Sequence, residues 1–499
     1  MPTQDAQPLP TSDQAARMSA KDSKALDRSI FQGMAWTGAM KWSGQIFTWL
    51  STVIVARLLT PEDYGLIAMA TVFLGVIGMV NEFGVGTALL TFRNLSDREV
   101  AQLNSLSLIL GFGGFTVACL GAIPMSKLFR TSDLPQVIIV LAAGFMVLGL
   151  KGVPYALLQR DMRFKFLAVT ESLQMLIQAV SAVCFALLGF SYWTLVLGNL
   201  VGTLVSTAMI VRERPHSFAT PRLSALSNVL TFSRHVVVAR IGWYLYSNAD
   251  TVVVGRVLGQ GALGVYSFGL SLANMVVEKI SGMSNQVTSS LFGSIQQDHA
   301  AIRRYLLMFT EGFALLSFPL TIGLALVADD FVILVLGEKW FPMVIPLQIL
   351  SATAAFRSVS ALPSQVLFAI KDARFGMWNG VICTIIFPIA FYLGSYWGTV
   401  GVAMVWAIVY PPLSYRINLR VFPVIGLSHR QYWKSFQSAA VATLAMSVMV
   451  IAVKLAMPAD WAVAIRLGIE VMAGGVVYAV AVWILCRGHI REFIRIVYK

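Results

Sequence analysis

Apolar segments long enough to cross a lipid bilayer follow one another along almost the whole chain. A helix needs about 20 apolar residues to span the hydrocarbon core, and about fourteen segments meet that length. They lie at 36–58, 64–91, 100–123, 134–157, 165–189, 192–211, 236–258, 263–292, 304–328, 341–369, 376–396, 398–415, 435–456 and 461–485. The sequence therefore predicts an all-α polytopic membrane protein.

Charged residues are scarce and unevenly placed. They make up 12% of the chain, against about 25% in a typical soluble domain. The net charge is +13, but most Lys and Arg residues fall in the segments that share a side with the N-terminus. This asymmetry is the positive-inside rule, so both termini are predicted to be cytoplasmic. The basic balance therefore reflects topology, and we expect no nucleic-acid partner.

The composition and motifs of the chain also argue against a signal peptide, a metal site and ATP hydrolysis. Residues 1–28 are polar and lack a signal-peptide core, which predicts a disordered cytosolic tail. The 4 Cys and 5 His residues are too scattered for a metal site, so no metal and no cofactor is expected. The chain has no phosphate-binding glycine loop, which leaves ATP hydrolysis by this protein unsupported.

An internal repeat divides the chain. Thr52–Leu59 and Gly65 match Thr251–Leu258 and Gly264 at a constant offset of 199 positions. A second match, Asp161–Phe164 with Asp372–Phe375, has the similar offset of 211. Internal repeats in a membrane protein are typical of transporters that place the substrate between two halves.

The repeat sets the predicted domain organisation. Two parallel six-helix repeats form an N-lobe at 29–214 and, with the linker, a C-lobe at 215–420. The two lobes are related by a pseudo-two-fold axis along the membrane normal. Residues 421–499 then carry two extra C-terminal helices and a cytosolic end.

Several predicted spans carry ionisable residues that cannot all face lipid. A charge at the bilayer centre costs roughly 2.5–3.5 kcal/mol even on a lenient scale. A shared water-filled cavity between the lobes would accommodate them. Its candidate cations, suited to an anionic substrate and above all to phosphate, are Lys41, Arg240, Arg357, Lys151 and Lys279. Its candidate ion-coupling carboxylates are Glu82, Asp250, Glu278 and Glu311.

Some charges have simpler interpretations. Lys151 lies near a cytoplasmic span end and could extend toward water instead. Lys279 points about 100° away from Glu278 on a helix and could lie off the cavity. Arg57, at an outside helix end, either caps backbone carbonyls or pairs with an acid. The acidic pair Asp329–Asp330, also at an outside end, is expected to be solvated.

Two segments of the chain resemble a known family. Residues 55–65 read VARLLTPEDYG, and residues 337–340 read GEKW, followed by PLQIL at 346–350 and Arg-Ser at 357–358. The first segment resembles Wzx-type polysaccharide flippases of the multidrug/oligosaccharidyl-lipid/polysaccharide exporter superfamily. The second resembles the colanic-acid-exporter branch of that family.

The resemblance implies a fold and a function. It implies a V-shaped, two-lobed flippase that moves undecaprenyl-diphosphate-linked oligosaccharide across a bacterial inner membrane by alternating access. Its implied partners are that glycan lipid, the bilayer and, in the same process, a polysaccharide polymerase with chain-length and export proteins. Arg357 falls within the matched segment, whereas Lys41 and Arg240 are chosen from polar helix stripes.

Two other functions remain open from the sequence. A drug antiporter of the same superfamily would be expected to have an acidic cavity for cationic drugs, and the basic bias here argues against it. A membrane enzyme such as a polymerase or glycosyltransferase would need a large outside loop or a catalytic carboxylate at a membrane edge. The outside loops of this chain are short, and the sequence is therefore not predicted to be an enzyme.

Overall fold

The structure is a computed structural model, and it describes residues 44–81, 89, 95–221, 241–370, 372–458 and 460–485. These residues form helices joined by turns, and no strand occurs among them. The predicted all-α architecture is thereby confirmed for the described part of the chain. Lys41, Glu82, Arg240 and the predicted tail at 1–28 lie outside the described residues.

The first half of the chain forms long helices with short connections. They are α1 (Gly44–Leu58), α2 (Pro61–Asn81), α3 (Asp97–Phe129), α4 (Leu134–Arg160), α5 (Phe164–Leu187) and α6 (Trp193–Glu213). Each lies within or close to one of the predicted spans. After α6, residues 215–221 continue without regular structure.

The second half begins with a helical segment at 241–247 and is more often interrupted. Its helices are α7 (Ala249–Val257), α8 (Gln260–Ser294), α9 (His299–Leu326), α10 (Ala328–Phe331), α11 (Val344–Ser360), α12 (Leu362–Ala369), α13 (Ala373–Gly394), α14 (Gly398–Ile408), α15 (Tyr410–Val424), α16 (His429–Ser435), α17 (Gln437–Ala456) and α18 (Val463–Leu485). A π-helical turn, Val332–Leu336, and a 3₁₀ turn, Glu338–Met343, connect α10 to α11.

Two of these helices begin with a capping box. At the start of α3, the Ser96 side chain accepts a hydrogen bond from the Glu99 backbone N–H, and the Glu99 carboxylate accepts one from the Ser96 N–H. Ser428 and Gln431 make the same exchange at the start of α16. Each box satisfies two backbone donors that a helix start otherwise leaves unpaired.

The protein is a multi-pass membrane protein. Within the described residues, ten continuous helical segments, some of them built from several successive helices, are long and apolar enough to cross a membrane. They account for most of the predicted spans. The total of fourteen, the two-lobe repeat layout and the domain boundaries stay predictions.

Helices α2 and α8 meet at two glycines that occupy equivalent positions in the repeat. A Cβ atom on Gly65 would lie 1.9 Å from the carbonyl oxygen of Gln260, and one on Gly264 would lie 1.7 Å from that of Pro61. The two contacts are reciprocal, because Pro61 and Gln260 are also 199 positions apart. A contact in which each partner uses the same surface is what a two-fold relation produces, so this seam supports the predicted repeat.

The largest buried apolar cluster surrounds the same seam. Leu66 and Met69 of α2 and Leu263 and Tyr266 of α8 are all completely buried within it. Gly65 and Gly264 let the two backbones approach, and these side chains fill the space beside them. The seam is therefore a packed contact between the two halves.

The second repeat match also has equivalent contacts. Asp161 forms an ion pair with Arg214, with 3.3 Å between Oδ2 and Nε, and Asp372 forms one with Arg420 at 2.6 Å between the same atoms. Each pair ties the loop before one helix to the end of a later helix in the same half. The hydrogen bond from Arg420 holds the pKa of Asp372 below its usual value.

The prediction that Asp329 and Asp330 are solvated is wrong. Only 1% of Asp330 is exposed. Asp329 forms an ion pair with Lys454 of α17, and Asp330 forms one with Arg466 of α18. The sequence placed these acids at a helix end, but α17 and α18 pack over that end and supply cations for both.

Candidate functional site

The best-defined polar site of the second half is built around Asp250. This residue lies in the first turn of α7, where the helix dipole favours a negative charge. Its Oδ1 accepts the backbone N–H of Thr251 at 2.7 Å, and its Oδ2 accepts the hydroxyl of Tyr266 at 2.7 Å and the indole N–H of Trp406 at 3.0 Å. Asp250 and Tyr266 are fully buried and Trp406 is 3% exposed, so this carboxyl group is well supplied with donors.

Arg357 joins this site through the ring face of the same tryptophan. Its guanidinium carbon lies 4.5 Å from the ring centroid of Trp406 and 5.8 Å from that of Tyr410. Its Nη1 donates to Oδ1 of Asn274 on α8 at 3.2 Å. Arg357 is half-buried, and among the described residues no carboxylate forms an ion pair with it. The site thus connects a cation and an acid through an indole and not through a direct salt bridge.

Lys151 lies in a separate cluster of the first half. Its ammonium group donates to Oε1 of Gln174 on α5 at 3.2 Å and to Oγ of Ser206 on α6 at 2.9 Å. The same nitrogen lies 5.8 Å from the ring centroid of Tyr155, whose hydroxyl donates to Glu171 at 2.7 Å. This half-buried lysine is held by neutral oxygens. The carboxylate of Glu171 joins the cluster through Tyr155.

Lys279 links the two halves. Its ammonium group donates to Oε1 of Gln45 on α1 at 2.5 Å. The side chain of Lys279 is exposed, as is that of its neighbour Glu278. Glu311, on α9, is half-buried.

The described candidate cations share one property. Lys151, Lys279 and Arg357 all donate to amide or hydroxyl oxygens, namely those of Gln174, Ser206, Gln45 and Asn274. Five other cations form ion pairs with Asp or Glu, namely Lys454, Arg466, Arg420, Arg163 and Arg214. Three more donate to backbone carbonyls, namely Arg57, Arg303 and Lys339. Neutral partners hold a cation in position without cancelling its charge.

A second group of contacts closes the end that is predicted to face outside. Arg57, at the end of α1, donates to the backbone carbonyls of Leu334 and Val335 in the π-helical turn. In return, Lys339 donates to the carbonyls of Arg57 and Leu59, and the Trp340 indole donates to Ala56 at 2.9 Å. Each cation therefore caps a helix end of the opposite half. We call this group, with the Gly65–Gly264 seam, the outer closure.

One family model matches more than half of the chain. The family model described as "Polysaccharide biosynthesis protein" matches residues 54–345. The chain belongs to this family.

Relatives of the polysaccharide biosynthesis protein family extend the similarity over most of the chain. The lipopolysaccharide biosynthesis protein WzxC of Escherichia coli (strain K12) is 26% identical over 76% of this chain and 78% of its own. The teichuronic acid biosynthesis protein TuaB of Bacillus subtilis (strain 168) is 24% identical over 91% of this chain and 95% of its own. The resemblance to Wzx-type flippases is confirmed at the level of the family.

A solved structure has the same fold. The lipid II flippase MurJ, in an inward closed conformation, superposes with a TM-score of 0.73 at 13% identity and covers 91% of this chain and 99% of its own. The succinoglycan biosynthesis transport protein ExoT of Rhizobium meliloti (strain 1021), which is 25% identical over 63% of this chain and 64% of its own, is named as a transport protein. The family and its relatives agree with the prediction that this chain is not an enzyme.

The sequence identified part of this site. Arg357 and Asp250 are predictable because they are ionisable residues in apolar segments. Tyr266 and Trp406 are not among the predicted site residues. A tryptophan in the middle of an apolar span, away from the interface where it is usually enriched, was the available signal for Trp406.

Proposed function

We propose that this protein is a flippase that moves an undecaprenyl-diphosphate-linked oligosaccharide repeat unit from the cytoplasmic to the periplasmic leaflet. The product would enter the synthesis of an exopolysaccharide, a capsule or an O-antigen. The membrane is then a bacterial inner membrane with both termini cytoplasmic. A polymerase and chain-length or export proteins would act on the delivered unit.

One observation carries this proposal. Lys151, Lys279 and Arg357 are held by amide and hydroxyl oxygens of other side chains, whereas Arg420 and Lys454 form ion pairs with carboxylates. A diphosphate headgroup would supply the negatively charged partner for these cations. Arg357 in particular has guanidinium donors beyond the one used by Asn274, and a guanidinium can hold a phosphate with two parallel hydrogen bonds.

The outer closure supports alternating access. Arg57, Lys339 and Trp340 join α1 to the segment between α10 and α11 at one end of the molecule. A substrate that enters from the opposite, cytoplasmic end would leave only after these contacts separate. The described state then corresponds to the one that receives substrate from the cytoplasm.

Ion coupling is assigned to the acidic group that is best placed beside a substrate cation. Asp250 shares Trp406 with Arg357, so a charge on either group is felt by the other. Binding of a proton or a sodium ion at Asp250 would then alter how strongly Arg357 holds an anion. Glu278 and Glu311 remain further candidates for this role.

Transport by the purified protein in vesicles tests the proposal. We expect Arg357→Ala to abolish transfer of a diphosphate-linked oligosaccharide to the other leaflet, while Arg304→Ala, which removes an exposed cation at the start of α9, leaves it unchanged. Normal transfer by Arg357→Ala would contradict the assignment of this residue. Export of a cationic drug in place of the lipid would favour the antiporter instead.

A further inference from the structure

The C-terminal helix pair is fastened to the second half by two ion pairs at one point. Lys454 of α17 binds Asp329, with 2.6 Å between Nζ and Oδ2, and also donates to the carbonyl of Leu326. Arg466 of α18 binds Asp330 through both Nη2 and Nε, at 2.5 and 3.3 Å. The proposed transport cycle uses none of these residues.

A third carboxyl group faces this point without a hydrogen-bond donor. Glu470 follows Arg466 by one helical turn, so both side chains lie on the same face of α18. It is 0% exposed, and neither of its carboxyl oxygens has a hydrogen-bond partner among the described residues. The carboxyl group of Asp330 lies within interacting range of it. Two carboxylates that face each other in this way repel unless one carries a proton.

The charges around Glu470 do not balance. The ionisable groups that face it from α10, α17 and its own helix are Asp329, Asp330, Lys454 and Arg466. With Glu470 ionised, the group holds three negative and two positive charges. A buried carboxylate without a partner is strongly destabilising, and the described residues offer no set of ligands suited to a metal ion.

We propose that Glu470 holds a proton and donates it in a hydrogen bond to Asp330. The proton leaves two carboxylates opposite two cations, so the buried group becomes neutral. It also supplies the hydrogen that two facing carboxyl groups need. Asp330 can accept it while it binds Arg466, because each carboxylate oxygen has two acceptor positions. This proton site is independent of the substrate cations and of Asp250.

The proton site lies next to the segment that forms the outer closure. Asp330 belongs to α10, which runs directly into the π-helical turn whose carbonyls receive Arg57. The proton therefore fastens α17 and α18 to the segment that forms the outer closure. Its loss would leave a repelling pair of carboxylates beneath that segment.

Infrared spectroscopy of the full-length protein in lipid nanodiscs at neutral pH tests the proton directly. The wild-type spectrum minus that of Glu470→Gln should contain the carbonyl stretch of a protonated carboxylic acid. Glu338→Gln is the matched control, since it removes an exposed carboxyl group near the outer closure and should remove only a carboxylate band. A carboxylate band alone in the Glu470 difference would overturn the proposal.

The apparent melting temperature against pH gives a second measurement. The wild type should become less stable as pH rises and the proton leaves, whereas Glu470→Gln, a neutral mimic of the protonated group, should lack this component. If Glu470→Gln does not fold, Asp330→Asn serves in its place. In that variant Arg466 would pair with an ionised Glu470, so the infrared band of the protonated acid would vanish. A melting temperature that follows sodium at fixed pH would replace the proton with a sodium ion and overturn the proposal.

Discussion

The guanidinium of Arg357 stacks 4.5 Å from the ring centroid of Trp406, and the N–H of that indole is bound by Asp250 at 3.0 Å. The cation gains from the electron-rich face of the ring, and the carboxyl group gains from the donor at its edge. Trp406 therefore fixes the distance between the two charged groups. This arrangement gives the tryptophan a testable role in coupling.

Trp406→Phe should separate the coupling of ions from the binding of substrate. The phenyl ring keeps a face for Arg357, although phenylalanine holds a cation less strongly than tryptophan does. The donor to Asp250 is lost, at a cost of about 0.5–1.5 kcal/mol for a typical hydrogen bond. We expect transport in vesicles to lose its dependence on an imposed ion gradient before it loses substrate affinity. Trp397→Phe, at an exposed tryptophan, should change neither quantity.

Gly65→Ala and Gly264→Ala should damage the protein equally. In each case the new methyl group would overlap a backbone carbonyl of the opposite helix, and overpacking of this kind costs about 1–3 kcal/mol or more. Thermal unfolding in detergent would measure the loss. Gly113→Ala is the control, because no atom lies within 4 Å of its added Cβ. Unequal losses at the two glycines would argue against a symmetric seam.

Arg57→Gln should loosen the outer closure. The shorter neutral side chain cannot reach and cap the carbonyls of Leu334 and Val335 as the guanidinium does. A cysteine placed at Ala56, which is fully buried, should then react several-fold faster with a membrane-impermeant thiol reagent from outside. Arg130→Gln, which alters an exposed cation after α3, should leave the rate unchanged. Equal rates for both variants would remove Arg57 from the closure.

The ion pair of Asp372 and Arg420 should make a small, acid-sensitive contribution to stability. Because the folded protein lowers the pKa of Asp372, this contribution is present above the unfolded value of about 3.9 and is lost as pH falls through the lower folded value. Asp372→Asn should therefore flatten the acid side of a plot of melting temperature against pH. Asn still offers an oxygen for the cap to Phe375, so the remaining effect is that of the charge.

Much of the fold could be predicted from local pattern. The positions of the apolar segments predicted the helices, because a membrane span requires a long apolar run whatever its neighbours are. The repeat predicted that Gly65 and Gly264 occupy equivalent places. It could not predict that they touch each other, since a repeat fixes equivalence and leaves the position of the axis open.

The candidate site was predictable only in part. Arg357 and Asp250 could be predicted because charge is costly in a bilayer. Trp406, which contacts both, could not, because an apolar side chain in a span is also compatible with a position that faces lipid. The ion pairs of Asp329 and Asp330 are not predictable from local sequence, because their cations come from helices more than a hundred residues later. Lys41 and Arg240 lie outside the described residues, and their place in the cavity stays a prediction.

The contact at Gly65 and Gly264 also bears on how the outer end can move. Long side chains across a joint can bend and keep touching as it widens, whereas two bare backbones lose contact after a very short displacement. The contact between the two helices therefore tolerates only a small displacement. We expect it to open in one step and not gradually. A transporter with such a joint would spend its time in two well-separated shapes, with few molecules caught between them.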